Sequence, residues 1–478
     1  MSKIDMTPEE FRQLAYQAVD MLADRMAAQQ NHNAKIRRPV PDMLKERFMA
    51  QPAPETGASP ETLLDAVRTD IFPYPMGNAS PRFFAWVNSP PAPLGIIAEM
   101  LAAGHNPSVA GGDHSATYVE HAVLNWLKTI MGYSAESGSI LTSGGSVANL
   151  VGLAVMRHVK SAGNIREQGF MAESAPMVVY ASEQGHSCIQ KAIEILGIGN
   201  ENLRRVRVDA DFRMDMDDLR EKIAIDKAAG LRPVCVAASA GTVNTGAIDP
   251  LSAIADICET NDLWFHVDGA YGAVGILDET VASLYSGIDR ADSIALDPHK
   301  WLYVPIECGC TLVRDKQAMR DTFSLVPEYV RDDREMPWFM EFGIQQTRSF
   351  RALKLWMVMQ QIGLDGYREL ITRDIELRKS LDEKIAARDD FEHIASGDLS
   401  ITCFRYAPAG IAEEQLNQLN TDLLDIVQRE GQFFLTKTIL NNKTVLRVCI
   451  VNFRTTDNDL EVLLDVLAHA GERVLEII

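Results

Sequence analysis

The first hydrophobic pattern along the chain predicts a helical N-terminal segment. Apolar side chains recur at helical spacing from Phe11 to Leu22, and a proline-rich break follows them. Thr7 and Glu10 have the spacing of a helix capping box, which predicts that a helix begins immediately after Thr7. We therefore expect residues 1–85 to form an N-terminal helical arm.

The middle of the chain shows short apolar runs. Runs rich in β-branched residues at 177–180, 233–237, 263–267 and 293–296 alternate with helical segments. Because these runs lack polar alternation, we expect strands that are buried on both faces, as in a mostly parallel sheet covered by helices. Residues 86–355 are therefore predicted to form a large α/β domain.

The last part of the chain mixes helices and strands. It starts with an amphipathic helix and ends with the apolar run 445–450, which another helix follows. Residues 356–478 are therefore predicted to form a smaller α+β domain.

Composition limits the classes of function. Of the 478 residues, 46% are hydrophobic and 23% are charged, as in an ordinary globular protein. The net charge of -20 argues against nucleic-acid partners, because such binding depends on lysine and arginine. No apolar run approaches the roughly 18 residues of a membrane helix, so no membrane partner is expected. Seven cysteines without a CxxC pair or metal-like clustering favour reduced thiols, a cytoplasmic location and no metal site.

Two reactive groups follow predicted strands, where ligands bind in α/β sheets. Asp268 ends the strand run 263–267, and burial of its carboxylate would be unfavourable without a cation or strong donor. Lys300 follows the run 293–296, and a desolvated lysine is an amine nucleophile that forms an imine with a carbonyl group. The two side chains could therefore meet in one pocket.

A glycine-rich turn before a helix is the third candidate element of this site. Gly144, Gly145 and Ser146 precede a helical run, so they place backbone N–H groups and a hydroxyl at a helix N-terminus, which binds anions. A phosphate cradle, an imine-forming lysine and a buried aspartate are the three contacts that pyridoxal phosphate (PLP) requires. We therefore predict that PLP is the cofactor, held as a Schiff base on Lys300.

These motifs, in this order, resemble those of a known family. The Ser-Gly-Gly-Ser run at 143–146, His186, the His-Val-Asp-Gly-Ala-Tyr run at 266–271 and the Asp-Pro-His-Lys-Trp run at 297–301 are similar to those of the group II PLP-dependent amino-acid decarboxylases, which include the aromatic-L-amino-acid decarboxylases. The run 348–356 extends the resemblance beyond the cofactor site. The resemblance implies an α/β fold of the aspartate-aminotransferase type (type I), and a homodimer whose N-terminal arms embrace.

The family also implies a role for each matching residue. Lys300 would bind the cofactor, Asp268 would pair with the pyridine nitrogen, and Ala270 and His186 would lie on opposite faces of the ring. The residues that would hold the phosphate are Gly145, Ser146 and His299.

Two further cofactor-binding assignments depart from the family pattern. Where relatives often have asparagine, this chain has Asp297, whose charge would repel phosphate unless it is turned away or bonded to other donors. The family's cofactor-contacting threonine falls on Val243, which leaves Thr242 one position out of register. Asp297 and Thr242 are still placed among the predicted cofactor-binding residues.

The reaction type depends on Tyr329. In the family, a loop carries a tyrosine that protonates the carbanion. The run 325–330 and the charged residues 331–335 that follow it match that loop. Phenylalanine at this position is associated with oxidative deamination to an aldehyde. Tyr329 therefore predicts simple decarboxylation, with Lys300, His186 and Asp268 as the other catalytic residues.

Substrate preference is tied to Trp86 and Ser89. Trp86 aligns with a substrate-pocket tyrosine of the aromatic decarboxylases, and Ser89 is assigned to the same wall. We expect an aromatic L-amino acid as substrate. Three alternatives stay open: decarboxylation of glutamate, 2,4-diaminobutyrate or a sulfinate, oxidative aldehyde synthesis, and a PLP-binding scaffold that has lost catalysis.

Overall fold

The computed structural model describes residues 4–32, 34–325 and 337–476. The chain divides into two compact units. The smaller unit comprises the residues up to 86, 383–394 and those from 404 onwards, and the larger unit comprises 87–382 and 395–403. In the described ranges, no helix combines the length and the apolar character that crossing a membrane requires.

The elements are labelled in chain order. The α-helices are α1 (Pro8–Gln29), α2 (Asp42–Ala50), α3 (Pro60–Ala66), α4 (Pro93–His105), α5 (Ser115–Ile130), α6 (Gly145–Lys160), α7 (Ile165–Gln168), α8 (Ser187–Ile195), α9 (Met216–Ala228), α10 (Leu251–Asn261), α11 (Lys316–Phe323), α12 (Ala352–Ala386), α13 (Glu413–Glu430) and α14 (Asp457–Leu475). The strands are β1 (Gly138–Thr142), β2 (Met177–Ser182), β3 (Leu203–Val206), β4 (Arg232–Ser239), β5 (Trp264–Asp268), β6 (Ser293–Leu296), β7 (Gly309–Val313), β8 (Phe391–Ser396), β9 (Ile401–Tyr406), β10 (Thr436–Leu440) and β11 (Lys443–Cys449).

A seven-stranded sheet forms the core of the larger unit, in the order β1-β7-β6-β5-β4-β2-β3. The strands from β6 to β3 in this order are parallel neighbours, whereas β7 runs antiparallel to β6 and to β1. Every residue of β2, β5 and β6 is buried, as apolar runs without alternation predict. The predicted α/β class with a mostly parallel sheet is therefore confirmed, and the four apolar runs correspond to β2, β4, β5 and β6.

The smaller unit contains the helical start of the chain, and β10, β11 and parts of β8 and β9, which form a four-stranded sheet. The order in that sheet is β10-β11-β9-β8, and β10 pairs antiparallel with β11. The predicted capping box is present: the N–H of Glu10 donates to Thr7 Oγ1 at 3.2 Å, and the N–H of Thr7 donates to Glu10 Oε2 at 2.7 Å. The predicted division at residues 85 and 355 stays a prediction.

Candidate active site

A cavity of about 380 Å³ lies at the carboxyl edge of the parallel strands in the larger unit. The sheet register places Ser239, at the end of β4, beside Asp268, and Asp268 beside Ala295 of β6. The ends of three strands therefore meet at one level, and the first residues of α6 line the same cavity. This is the position at which open α/β sheets bind ligands.

All nine residues that the sequence assigns to the cofactor line this cavity. They are Gly145, Ser146, His186, Thr242, Asp268, Ala270, Asp297, His299 and Lys300. Tyr329 lies outside the described residues. Asp268 and Lys300 share one cavity, as their positions after two neighbouring strands predict.

Asp268 is a buried carboxylate that ends β5. Its Oδ1 accepts a hydrogen bond from the backbone N–H of Ala270 at 3.2 Å, and its Oδ2 accepts one from the thiol of Cys188 at 3.5 Å. Burial raises the pKa of the Cys188 thiol, and the charge of Asp268 adds to this effect, so the thiol keeps its proton. Two donors therefore hold the carboxylate in a fixed orientation.

His186 is the N-cap residue of α8. Its Nδ1 accepts a hydrogen bond from the backbone N–H of Cys188 at 3.2 Å. Because Nδ1 is an acceptor, the neutral ring carries its proton on Nε2. Burial lowers the pKa of His186, and the charge of Asp268 opposes this only in part, so the neutral ring is favoured.

Lys300 and Asp297 form an ion pair in the turn after β6. Lys300 Nζ lies 3.1 Å from Asp297 Oδ2, and the Asp297 side chain is only 3% exposed. The other oxygen, Oδ1, lies 3.6 Å from Nδ1 of His299, and no described residue forms a hydrogen bond with it. Burial raises the pKa of Asp297, and Lys300 and His299 oppose this only in part. The departure from the family pattern thus places an incompletely bonded carboxyl group beside the reactive lysine.

The start of α6 forms a cradle for an anion. Gly145 and Ser146 line the cavity at this helix N-terminus, where backbone N–H groups have no acceptor within the helix. A Cβ atom on Gly145 would lie 2.6 Å from Asp297 Oδ2 and 3.0 Å from Cβ of Ala270. Only glycine therefore leaves this end of the cavity open.

The chemistry of these groups matches PLP. The N-terminus of α6 suits a phosphate, Lys300 suits an aldehyde, and Asp268 suits a protonated pyridine nitrogen. Gly145 keeps space free in the cradle, and the buried Oδ1 of Asp297 has no hydrogen-bond partner among the described residues. Both features indicate a site for a polar group. The residues present therefore fit the cofactor that the sequence predicts.

Thr242 and Ser89 use their hydroxyl groups within the protein. Thr242 Oγ1 accepts from the N–H of Ala247 at 3.1 Å and lies 2.9 Å from Oγ1 of Thr245. Ser89 donates to the carbonyl oxygen of His299 at 3.0 Å, so it supports the turn that carries a predicted phosphate ligand. Direct contacts of Thr242 with the cofactor and of Ser89 with the substrate stay predictions.

Trp86 belongs to the smaller unit. Its ring centroid lies 5.5 Å from that of Phe434 and 6.0 Å from that of Phe83, and the residue is 46% exposed. The next residue, Val87, belongs to the larger unit and lines the cavity. The substrate contact predicted for Trp86 stays a prediction, and Val87 is a further residue of the cavity wall.

A buried polar chain behind Asp268 was missed by the sequence reasoning. The ring of His266 is inaccessible to solvent; its Nε2 donates to Asn149 Oδ1 at 2.7 Å, and its Nδ1 accepts from the hydroxyl of Ser293 at 2.7 Å. Burial lowers the pKa of His266 to about 4, so the ring is neutral. This neutral ring fixes the orientation of the Asn149 amide.

Asn149 connects this chain to the cavity. Its Nδ2 donates to the carbonyl oxygen of Gly145 at 2.8 Å and to Sγ of Cys188 at 3.4 Å. The α6 cradle and the thiol that bonds Asp268 are therefore joined through one side chain. The spacing in the sequence could have indicated Asn149, because it follows Gly145 by about one helical turn and so lies on the same helix face.

The fold and this cavity define a PLP-dependent enzyme of the α/β class. The sequence model of the family described as "Pyridoxal-dependent decarboxylase conserved domain" matches residues 41–407. The chain belongs to this family, so it is a PLP-dependent decarboxylase. The predicted family, enzyme class and cofactor are thereby confirmed.

Individual relatives extend the match over the whole chain. The aromatic-L-amino-acid decarboxylase of Bacillus atrophaeus is 34% identical, over 98% of this chain and 97% of its own length. The phenylacetaldehyde synthase of Petunia hybrida is 31% identical, over 93% of this chain and 91% of its own. Because the family at such identities includes both kinds of enzyme, these likenesses do not fix the substrate or the product.

Solved structures show the same fold. Oryza sativa TDC with PLP and tryptamine superposes with a TM-score of 0.91 at 25% identity, covering 98% of this chain and 99% of that one. Mouse CSAD gives a TM-score of 0.90 at 25% identity, covering 97% and 99%. The predicted fold type is therefore confirmed.

Proposed function

We propose that this enzyme converts an aromatic L-amino acid, such as tyrosine, tryptophan or phenylalanine, to its amine and carbon dioxide. The cavity wall carries the proposal, because its residues beyond those assigned to the cofactor include Val87, Val243 and the buried ring of Tyr271. Apolar and aromatic walls favour an aromatic side chain through burial and ring packing. The relative in Bacillus atrophaeus, named for aromatic substrates, supports the same class.

The charges around the cavity support this choice. Among the lining residues in the described part of the chain, none is an arginine, and Lys300 is the one lysine. Glutamate or a sulfinate would bring a second anionic group into the site, and such a group needs a cation beside it. Lys300 is assigned to the cofactor, so these acidic substrates rank below aromatic ones.

We assign the central roles as follows. Lys300 binds the aldehyde of the cofactor, and Asp268 keeps the pyridine nitrogen protonated. When bound, PLP supplies an electron-poor ring that stabilises the charge left on the substrate α-carbon as carbon dioxide departs. Asp268 can sustain this because Ala270 and Cys188 donate to its carboxylate and prevent it from rotating away.

The remaining cavity residues position the cofactor. We place the phosphate on the α6 cradle. The residues proposed to hold it are Gly145, Ser146 and His299. We place Ala270 on one face of the pyridine ring and His186 on the other, where a neutral imidazole avoids repulsion with the protonated nitrogen. Thr242 is proposed as a further neighbour of the cofactor.

Tyr329 decides the product in this proposal. Its phenol would return a proton to the α-carbon, which yields an amine, whereas a chain without that donor allows reaction with oxygen and an aldehyde product. In the homodimer proposed below, Tyr329 acts in the neighbouring subunit. The residue lies outside the described part of the chain, so its sequence position is the support.

One experiment tests substrate and product together. The purified enzyme with PLP is incubated with each of the twenty amino acids, 2,4-diaminobutyrate and cysteine sulfinate, and amine, aldehyde, carbon dioxide and peroxide are measured. We expect equal amounts of amine and carbon dioxide from aromatic substrates, and no product from the Lys300→Ala variant. Faster turnover of an acidic substrate would refute the aromatic assignment, and peroxide equal to carbon dioxide would refute the amine product.

We also propose a homodimer that works in the cytoplasm. None of the residues of α1 is buried, yet the helix presents Phe11, Tyr16 and Val19, which are 59%, 63% and 46% exposed. An uncovered apolar helix face favours association with a second copy. All seven cysteines are free thiols, which suits a reducing compartment.

Light scattering tests the dimer, and cell fractionation tests the compartment. A Phe11→Glu/Tyr16→Glu double variant is expected to be monomeric, whereas Gln13→Glu/Gln17→Glu, which adds the same two charges at exposed polar positions of α1, should leave the dimer intact. A fully active monomeric wild type would contradict the proposal.

A further inference from the structure

Asp297 lies at the cradle where we place the phosphate. Its Oδ2 is 2.6 Å from the point that a Cβ on Gly145 would occupy, and its Oδ1 is 3.8 Å from the corresponding point on Gly144. The carboxyl group therefore faces the N-terminus of α6, which is the positive end of the helix dipole. A bound phosphate and the Asp297 carboxyl group would share this small region.

The surroundings of Asp297 supply few donors. Lys300 Nζ contacts Oδ2 at 3.1 Å, His299 stays 3.6 Å from Oδ1, and Oδ1 forms no hydrogen bond with any described residue. The titratable groups that surround Asp297 come from four elements. They are Lys300 and His299 on its own turn, Asp268 at the end of β5, His186 and Cys188 at the start of α8, Cys308 immediately before β7 and Cys310 within β7. The negative charge of Asp268 works against a second carboxylate here.

Binding of the cofactor makes these surroundings worse for a charged carboxylate. A phosphate monoester carries between about -1.5 and -2 charges at neutral pH. Among the described residues, Lys300 is the one cation in hydrogen-bond range of Asp297, and it is directed to the cofactor aldehyde in the proposed function. An anionic Asp297 would then be buried next to phosphate without its main donor, which is unfavourable unless the group is neutralised.

We propose that Asp297 takes up one proton as the phosphate of PLP binds, and that the resulting carboxylic acid donates a hydrogen bond to that phosphate. This inference rests on the proposed assignment of the cavity to PLP. The raised pKa of Asp297, caused by its burial, lowers the energy needed for this proton uptake. Asparagine would supply an N–H donor at the same position without any proton uptake.

Cofactor binding is then linked to pH. Because the bound state holds one proton more at Asp297 than the free state, the Kd for PLP rises by up to about tenfold per pH unit above neutrality. The Asp297→Asn variant should lose this contribution and bind PLP more tightly than the wild type at alkaline pH. Asp292→Asn is the matched control, because Asp292 is a carboxylate immediately before β6 and Asp297 is the one immediately after it.

Infrared difference spectroscopy provides the direct test. Spectra of the full-length enzyme are recorded at about pH 8 before and after PLP addition, in H₂O and in D₂O. The wild type and Asp292→Asn should gain the carbonyl stretch of a protonated carboxylic acid, shifted in D₂O, and Asp297→Asn should not. Calorimetry of the wild type in two buffers with different ionisation enthalpies should show net proton uptake larger by about one than in Asp297→Asn.

Two outcomes overturn the inference in distinguishable ways. Borohydride reduction followed by peptide mapping shows whether PLP is attached to Lys300. If the label is on Lys300 but the wild type gains no acid band, or the Asp297→Asn variant gains the same band, the proton uptake at Asp297 is refuted and the site assignment stands. If the label is absent from Lys300, the site assignment itself is wrong and the inference falls with it. Even if Asp297→Asn does not fold, a wild type that binds PLP on Lys300 without gaining an acid band refutes the proton uptake.

Discussion

The thiol of Cys188 donates to the carboxylate of Asp268 across 3.5 Å. The backbone N–H of the same cysteine donates to Nδ1 of His186. One residue at the start of α8 therefore orients both the group proposed for the pyridine nitrogen and the ring proposed to cover the cofactor. The proposed active site therefore depends on Cys188, which also lines the cavity.

Asp268→Asn should retain PLP but lose most of its turnover. A neutral amide cannot hold the pyridine nitrogen protonated, so stabilisation of the transition-state charge is lost. We expect kcat to fall at least about 100-fold, the effect of removing one preorganised electrostatic group. Absorbance titration measures PLP binding and carbon dioxide release measures kcat. Near-normal turnover in the PLP-saturated variant would contradict the role of Asp268.

Cys188→Ala and Cys188→Ser separate donation from packing. Alanine removes a hydrogen bond to a charged group, which corresponds to a decrease in kcat of about tenfold. Serine keeps a donor and should recover most of the activity. Steady-state kinetics with saturating PLP distinguish hydrogen-bond donation from packing. A serine variant as slow as the alanine variant would show that the hydrogen bond to Asp268 is unimportant.

Gly145→Ala should weaken PLP binding by at least about tenfold, because its Cβ would lie 2.6 Å from Asp297 Oδ2 in the cradle. Gly104→Ala is the control, since that glycine lies in α4 and a Cβ there meets no atom within 4 Å. In the control the Kd for PLP should stay unchanged, and the Tm should stay the same or rise. Equal Kd values in both variants would argue against a phosphate on the α6 cradle.

His266 makes stability depend on pH in a defined direction. Its pKa is about 4 in the folded protein, because the ring is buried, whereas an unfolded histidine has a pKa near 6.5. As pH falls below about 6.5 the unfolded state takes up the proton first, so the stabilisation is lost between about pH 6.5 and 4. Between about pH 7.5 and 5 the loss amounts to roughly 2 kcal/mol.

Urea unfolding at these two pH values checks the prediction for His266. His266→Gln should lose less stability on acidification than the wild type. His469→Gln, a substitution at an exposed histidine, should behave as the wild type does. An equal acid-induced loss in His266→Gln and the wild type would refute the assignment.

Arg348 and Glu120 form an ion pair in which both side chains are 0% exposed. Arg348 also donates to the carbonyl oxygens of Val109 at 2.8 Å and Leu141 at 2.7 Å. Arg348→Met leaves the Glu120 carboxylate buried without its cation, so the free energy of unfolding should fall by about 3 to 5 kcal/mol. Urea titration measures it, with Arg12→Met on the surface of α1 as a control that should change little.

Much of the cofactor site could be predicted because its residues end strands. Asp268 and Lys300 follow apolar runs that become β5 and β6, and parallel neighbours end at the same edge of a sheet. Gly145 was found for a similar reason, since a glycine pair before a helix predicts an anion site. Local sequence patterns were therefore sufficient to identify these three residues.

Other parts depend on tertiary contacts that leave no local pattern. Asn149 and His266 are 117 residues apart and meet because α6 packs against the strand that carries the histidine. The side-chain hydroxyl of Thr242 forms its bonds within its own turn, with the N–H of Ala247. Trp86 packs its ring on Phe434, a residue from the far end of the chain. Alignment with a family motif does not reveal such partners.

The strand order has a consequence for synthesis of the protein. β1 is an edge strand whose sheet neighbour is β7, and the cradle at the start of α6 follows β1 directly. When β1 leaves the ribosome, its partner is still untranslated, so its backbone groups have no neighbour until Gly309–Val313 has emerged. Truncated chains that end before Gly309 will therefore leave β1 unpaired and prone to aggregation, and PLP loading through the proposed Lys300 attachment requires a chain that has been translated past that lysine.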